Sequence, residues 1–447
     1  MRRKPLFRFH KHHIIIFQAE ISQGFRLGFY HFIHSFHLPK SPACVIISHM
    51  YSLLLIIIYL AFISLGLPDS LIGSAWPVMR LDLSADLSSA GIITMIIACG
   101  TVVSSLLSDK LTRKLGAGLV TAVSTALTAL ALLGFSFATA FWQLCLIAVP
   151  YGLGAGAIDA ALNNYVALNY SSRHMSWLHC FWGLGALISP AIMGACLSGS
   201  WGWRGGYRII CVVQTVLTVI LFVSIPLWSK VAKSKAPAAT DGEPTLPPLK
   251  FTQILRLKGV FLVMIAFFCY CAFEQTAMLW ASSYLVEHRS ISEDTAATFG
   301  SLFFIGITAG RAISGFVTER LGDRNLIRIG TGVIATGAIL VALSVNAHWV
   351  ALAGFVTLGL GCAPIYPSII HATPSNFGAE NSQSVIGFEM ASAYVGTIAM
   401  PPLFGLIAQH VSIALLPLYI GLLTVIMFVC LEVLNAQIRK KAKTDLR

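Results

Sequence analysis

The chain reads as an all-α membrane protein: twelve transmembrane helices in two pseudo-symmetric six-helix bundles. Composition, a series of long apolar windows and an internal repeat carry that reading. Of 447 residues, 56% are hydrophobic and 11% charged, with mean hydropathy +0.79. Soluble domains carry about 25% charged residues, so the sequence describes a polytopic membrane protein and not a globular enzyme with one anchor. A formal net charge of +12 would suggest nucleic acid in a soluble protein. Here the basic residues flank apolar segments, so topology and anionic lipid headgroups account for them, and no nucleic-acid partner is expected. The ten cysteines are scattered, and the closest pair, Cys269 and Cys271, has neither metal nor thioredoxin spacing.

A helix of about 20 apolar residues spans the hydrocarbon core. In chain order the windows begin with 51–78, which carries the bend Leu67-Pro68-Asp69-Ser70. Next come 88–108, 117–137, and 142–167, which starts at Trp142 and encloses Asp159. Then follow 176–197, with Gly185, Pro190 and Gly194, and 207–228. The stretch 229–257 is rich in Pro and small residues and reads as a linker. Beyond it lie 258–286 with Glu274, 295–318 with Arg311, 326–346 and 349–371. The last windows are 384–408, with Gly396, Pro401 and Gly405, and 413–435. Pro190 and Pro401 are expected to bend their helices. The organisation is therefore a bundle over 50–228, a cytoplasmic linker over 229–257, a second bundle over 258–435 and a basic tail over 436–447.

Basic residues orient the chain. One side holds Lys110, Arg113, Lys114, Arg173, Lys230, Lys233, Lys235, Lys250, Arg256, Lys258, Arg320, Arg324 and Arg328. The tail adds Arg439, Lys440, Lys441, Lys443 and Arg447, whereas the opposite side has Arg80, Arg204, Arg208 and Arg289. The positive-inside rule makes the first side and both termini cytoplasmic, in an inner or plasma membrane.

The halves repeat. Ser105-Leu-Leu-Ser-Asp109-Lys110-Leu follows the second window, and Gly315-Phe-Val-Thr-Glu319-Arg320-Leu follows the eighth, 210 positions on. Gly185-x4-Pro190-x3-Gly194 recurs as Gly396-x4-Pro401-x3-Gly405, 211 positions on. A duplicated six-helix unit lets two bundles rock about a central site.

With these motifs the chain resembles the major facilitator superfamily. The family's signature between helices 2 and 3 is a Gly, an Asp four residues on and a basic run. It stands here as Ser105 to Lys114, with Ser for Gly, and the second copy keeps Gly315 but has Glu319 for Asp. A narrower resemblance lies in Gly154-Ala-Gly156-Ala-Ile-Asp159-Ala-Ala-Leu-Asn163-Asn164-Tyr. This is similar to the fourth-helix motif of the fucose permease group of sugar–proton symporters, in which the acid is usually Glu. Leu67-Pro68-Asp69 occupies the place of that group's helix 1 acid. The run Trp177-Leu-His179-Cys-Phe-Trp182-Gly183 resembles the related glucose-transporter branch. The resemblance implies that Asp69 and Asp159 handle proton coupling and substrate.

The residues themselves support this and leave alternatives open. A charge at mid-membrane costs about 2.5–3.5 kcal/mol on insertion scales, so Asp159 needs a reason to be there. Asn163, four residues on, shares its helix face, and Asn163 or Asn164 can hold a sugar hydroxyl. The same side chains also serve as polar packing between helices, and the alternative for Asp69 is a cap at the Pro68 break or a place near the outer end of its helix. Glu274 is a third coupling candidate, with Gln275 offering donors and acceptors and Trp280 a stacking face. Interfacial Trp is the simpler account of Trp280. His179 is a further candidate ligand or a core residue. Arg311 is expected to reach toward the cytoplasm near Glu319 and lock a gate. Asp109, Arg113, Lys114, Glu319 and Arg320 are expected to form gate pairs between the bundles. Glu389 suits a structural ion pair or coupling equally.

The expected function is secondary active transport of a small polar solute, a monosaccharide, in symport with protons. Sodium suits the same carboxylates, no cofactor or metal is expected, and the working unit is expected to be a monomer. A proton-driven antiporter exporting an amphiphilic compound, or a non-transporting sensor, remain alternatives. No nucleophile elbow, metal motif or nucleotide loop suggests an enzyme. Residues 1–49 hold seven histidines, basic residues and aromatics without a clean span, and Met50 is expected to be the native start. Mass mapping of the natively expressed protein checks this: peptides from residues 14–40 overturn it.

Overall fold

The computed structural model describes residues 42–86, 89–235, 251–291, 293–343 and 348–445. The described residues of 54–447 form one compact unit, and the described residues before it, from Pro42, are helical. The N-terminal extension as far as Ser41 lies outside the described residues. Every described element is helical. Within hydrocarbon, backbone N–H and C=O groups have no water, and an α-helix satisfies them internally.

The first half comprises α1 (Pro42–Asp69), α2 (Leu71–Asp82), α3 (Ser89–Leu115), α4 (Ala117–Phe137), α5 (Phe141–Asn169), α6 (Ser172–Ser198) and α7 (Gly202–Lys235). The short α8 (Phe251–Arg256) precedes the second half: α9 (Val260–Glu287), α10 (Glu293–Leu321), α11 (Asp323–Ala342), α12 (His348–Cys362), α13 (Ile365–Phe377), α14 (Ala379–His410) and α15 (Leu416–Asp445). Among the described residues, eleven helices are long and apolar enough to cross a membrane. The remaining expected segment, 295–318, lies within α10.

Five boundaries differ from the sequence expectation. The window 51–78 is two helices meeting at Ser70, because Pro68 lacks an N–H. The window 349–371 is likewise split, at Ala363-Pro364. The helix α3 continues through Asp109, Lys110, Arg113 and Lys114, which were expected in a connection, and stops at Gly116, whose φ of 81° suits glycine. The linker and the tail are partly helix: α7 runs to Lys235 and α15 to Asp445, while residues 236–250 lie outside the described residues.

Small residues bring backbones together. A Cβ on Gly156 of α5 would lie 2.2 Å from the Thr101 carbonyl oxygen of α3, and one on Gly152 2.1 Å from that of Ile97. The repeat is visible in packing as well: Gly185 of α6 lies against the Ile63 carbonyl of α1, and Gly396 of α14 against the Phe268 carbonyl of α9. Leu130, Leu146, Val223 and Leu418 are exposed, as side chains facing lipid are. The two halves meet chiefly where α3 packs on α14 and α6 on α10.

Gly156→Ala is expected to lower stability by about 1–3 kcal/mol, because the clash is with backbone. Gly73→Ala, which meets nothing within 4 Å, is expected to be neutral or slightly stabilising. Thermal melting of the two purified variants checks the pair.

Candidate functional site

A cavity of about 380 Å³ lies between the halves of the 54–447 unit, walled by α1, α3, α5 and α6 on one side and by α9, α10, α13 and α14 on the other. The Gly-rich run of α5 draws α3 and α4 close and leaves Asp159 5% exposed on the cavity wall. Oδ2 of Asp159 accepts a hydrogen bond from the Tyr394 hydroxyl of α14 at 2.7 Å, and Oδ1 accepts from Asn163 Nδ2 at 2.8 Å. With its amide nitrogen on Asp159, Asn163 accepts through Oδ1 from His179 Nε2 at 3.1 Å, so Nε2 of His179 carries a proton.

Asp69 sits at the end of α1, where Pro68 interrupts the helix. Its Oδ2 accepts from Trp182 Nε1 at 2.9 Å and its Oδ1 from the Tyr151 hydroxyl at 3.3 Å. Asp69 and Asp159 are thus both held by neutral donors, and neither forms an ion pair among the described residues. The third acid, Glu274, is 3.3 Å from Nη2 of Arg311. This corrects the placement of Arg311. It is 3% exposed, lines the cavity, lies 5.5 Å from the Trp182 ring centre and pairs with Glu274, not with Glu319. Mid-helix in α10, its stem is too deep to bring the guanidinium to the basic end.

The expected substrate group divides. Gln275 and His179 line the cavity, whereas Asn163 stands behind Asp159. Asn164 faces the other half and accepts from the Ser382 hydroxyl at 2.6 Å. Trp280 is off the cavity wall: its Nε1 donates to the Pro401 carbonyl at 3.0 Å and its ring packs on Phe404. The aromatic wall is made instead by Trp182, Tyr151, Tyr366 and Tyr394. Trp182 was visible in the Trp177–Gly183 run. Tyr394 had only its position two residues before Gly396, and Tyr366 its position after the Pro364 break.

The gate candidates cluster at the basic end. Asp109 pairs with Arg113 at 2.7 Å, and Arg113 also donates to the Glu380 carbonyl of α14 at 2.7 Å. Glu319 pairs with Arg173 at 2.6 Å and accepts from Ser171 at 3.0 Å. Lys114 and Arg320 are exposed, with no ion pair among the described residues. Asp323, which sequence reasoning missed, accepts from Ser172 of the first half and bonds His371 Nδ1 at 2.7 Å. Gln383 of α14 donates to Ser108 and to the Ala160 carbonyl, both at 3.3 Å. Glu389 is fully buried on Thr373 at 2.9 Å, and no ion pair reaches it among the described residues.

Comparison with known proteins follows the same architecture. The Bypass of stop codon protein 6 of Saccharomyces cerevisiae is 24% identical over 393 residues, covering 80% of this chain and 77% of the yeast protein. The E. coli fucose:proton symporter FucP, solved in the outward conformation, superimposes with a TM-score of 0.69 at 15% identity, over 86% of this chain and 99% of FucP. The proton:xylose symporter XylE bound to 6-bromo-6-deoxy-D-glucose gives 0.71 at 12% identity, over 85% and 94%. At these identities the likeness is one of fold. The family model of the Major Facilitator Superfamily matches residues 58–388 and again 263–446. Matched across both halves, with its cavity between them, the chain belongs to the Major Facilitator Superfamily and is a membrane transporter, not an enzyme.

Proposed function

We propose that this transporter carries a monosaccharide inward together with protons, by alternating access. The observation that carries the reading is the pair Asp69 and Asp159, two cavity carboxylates held by neutral donors alone. An ionised carboxylate without a counter-charge is costly once the cavity closes around it. Asp159, assisted by Asp69, takes a proton from the outer side. Neutralised, it favours a state in which the bundles rock past one another. Release of sugar and proton on the inner side restores the charge.

The cavity wall supports a polyhydroxy solute. Gln275 and His179 offer hydrogen bonds, the Glu274–Arg311 pair presents an acceptor beside a donor, and Trp182 and Tyr366 offer ring faces. The fold neighbours FucP and XylE are sugar symporters, which agrees with this class. With the basic end cytoplasmic, Arg113 on Glu380 and Arg173 on Glu319 hold the inner side shut, so the cavity faces outward. Both termini are then cytoplasmic, in an inner or plasma membrane. Each chain holds a complete cavity, so a monomer is the working unit.

External pH in a lightly buffered, de-energised suspension of expressing cells, read on adding a panel of monosaccharides, tests the proposal. Alkalinisation by one sugar, abolished in Asp159→Asn and Asp69→Asn, is the expected result. Uptake that follows external sodium with no pH change replaces the proton by sodium. No response to any sugar, with protein in the membrane, sinks the symport reading in favour of export of an amphiphile.

The buried ion pair gives a second expectation. Glu274→Gln alone leaves Arg311 uncompensated and is expected to cost about 3–5 kcal/mol. The double variant Glu274→Gln/Arg311→Gln is expected to melt higher than the single. A single variant as stable as the unsubstituted protein rules this out.

A further inference from the structure

We infer that Gln214, on α7, is a positioning residue for the coupling acid Asp69: it replaces the hydrogen bond that Pro68 removes from the first helix. This rests on the coupling role proposed for Asp69.

In an α-helix the carbonyl of residue 64 accepts from the N–H of residue 68. Residue 68 is proline and has no N–H. The orphaned Ser64 carbonyl accepts instead from Gln214 Nε2 at 2.5 Å, and the Ser64 hydroxyl donates back to Gln214 Oε1 at 2.5 Å. Both residues are 1% exposed, so water does not do this work. The amide therefore satisfies the broken turn from the side and pins it to α7. Asp69 is the next residue after the proline and the last of α1. Its direction toward Tyr151 and Trp182 follows from the bend that this pair holds.

A second cavity supports the assignment. It is about 10 Å³, roughly one water, and is lined by Ser64, Pro68, Thr125, Thr128, Tyr151 and Gln214. Tyr151 donates to Asp69, so the support of the bend and the support of the carboxylate share one wall. The other half is an internal control. The repeat spacing of 211 positions places Leu279 opposite Pro68 and Val425 opposite Gln214. There α9 runs unbroken from Val260 to Glu287. The half without the proline is also without the glutamine.

The test uses the purified full-length protein in detergent and follows tryptophan fluorescence against pH, because the Trp182 indole donates to Asp69. The relevant signal is the part lost in Asp69→Asn. Gln214→Leu is expected to lower the melting temperature and to move the midpoint of that signal by about one pH unit. Pro68→Ala restores an N–H opposite Ser64, so Pro68→Ala/Gln214→Leu is expected to return both readings to those of Pro68→Ala alone. A lowered melting temperature with an unmoved midpoint makes Gln214 a packing residue only and overturns the proposal. A double variant as impaired as Gln214→Leu overturns the account of the carbonyl. If the unsubstituted protein shows no Asp69-dependent signal, the coupling role of Asp69 falls first and this inference with it. Sugar plays no part in the readout, so a mistaken substrate class leaves the result standing.

Discussion

Charge inside hydrocarbon must be matched or removed, and the architecture of this transporter is organised by that constraint. Its described interior answers in two ways. Glu274 has a fixed cation, Arg311, within the same half. Asp69 and Asp159 have phenols, an indole and an amide instead. Neutral donors orient a carboxylate without cancelling its charge. The two acids, when ionised, therefore carry a charge that no cation cancels among the described residues, while the Glu274–Arg311 pair is compensated in place.

The helices around the acids make this arrangement geometrically possible. Gly152 and Gly156 let α5 lie on the backbone of α3, which seats Asp159 at the wall instead of at a helix surface. Tyr394 reaches Asp159 from the other half. Asp159 is therefore held from both halves, whereas Asp69 is held wholly within the first. Any movement between the halves is felt directly at Asp159 and only indirectly at Asp69.

The helix content, the repeat and the three cavity acids were legible in the sequence, because apolar length, motif spacing and an isolated acid in an apolar window are local signals. Partnership was not. Nothing local distinguishes Trp280, held on the Pro401 carbonyl, from Trp182, held on Asp69; both are tryptophans in apolar helices. Arg311 was misplaced for the same reason, since its partner Glu274 is 37 residues away. Helix ends were misjudged where charged residues continue a helix beyond the apolar core, as at Asp109 to Lys114. There the stop is set by Gly116 and not by the loss of hydrophobicity.

The seam at the basic end joins uncharged contacts to contacts in which one partner is charged, such as Arg113 on the Glu380 carbonyl and Ser172 on Asp323. Ser382 meets Asn164, Gln383 meets Ser108, and Ser172 meets Thr318 at 3.0 Å. The ion pair across it, Arg173 with Glu319, is a third or more exposed on each side and contributes little in water. Hydroxyls and amides exchange a protein partner for a water at small net cost. For these uncharged contacts, separation carries no large electrostatic barrier. Ionic strength acts on the charged contacts of this seam and leaves the hydroxyl and amide contacts alone.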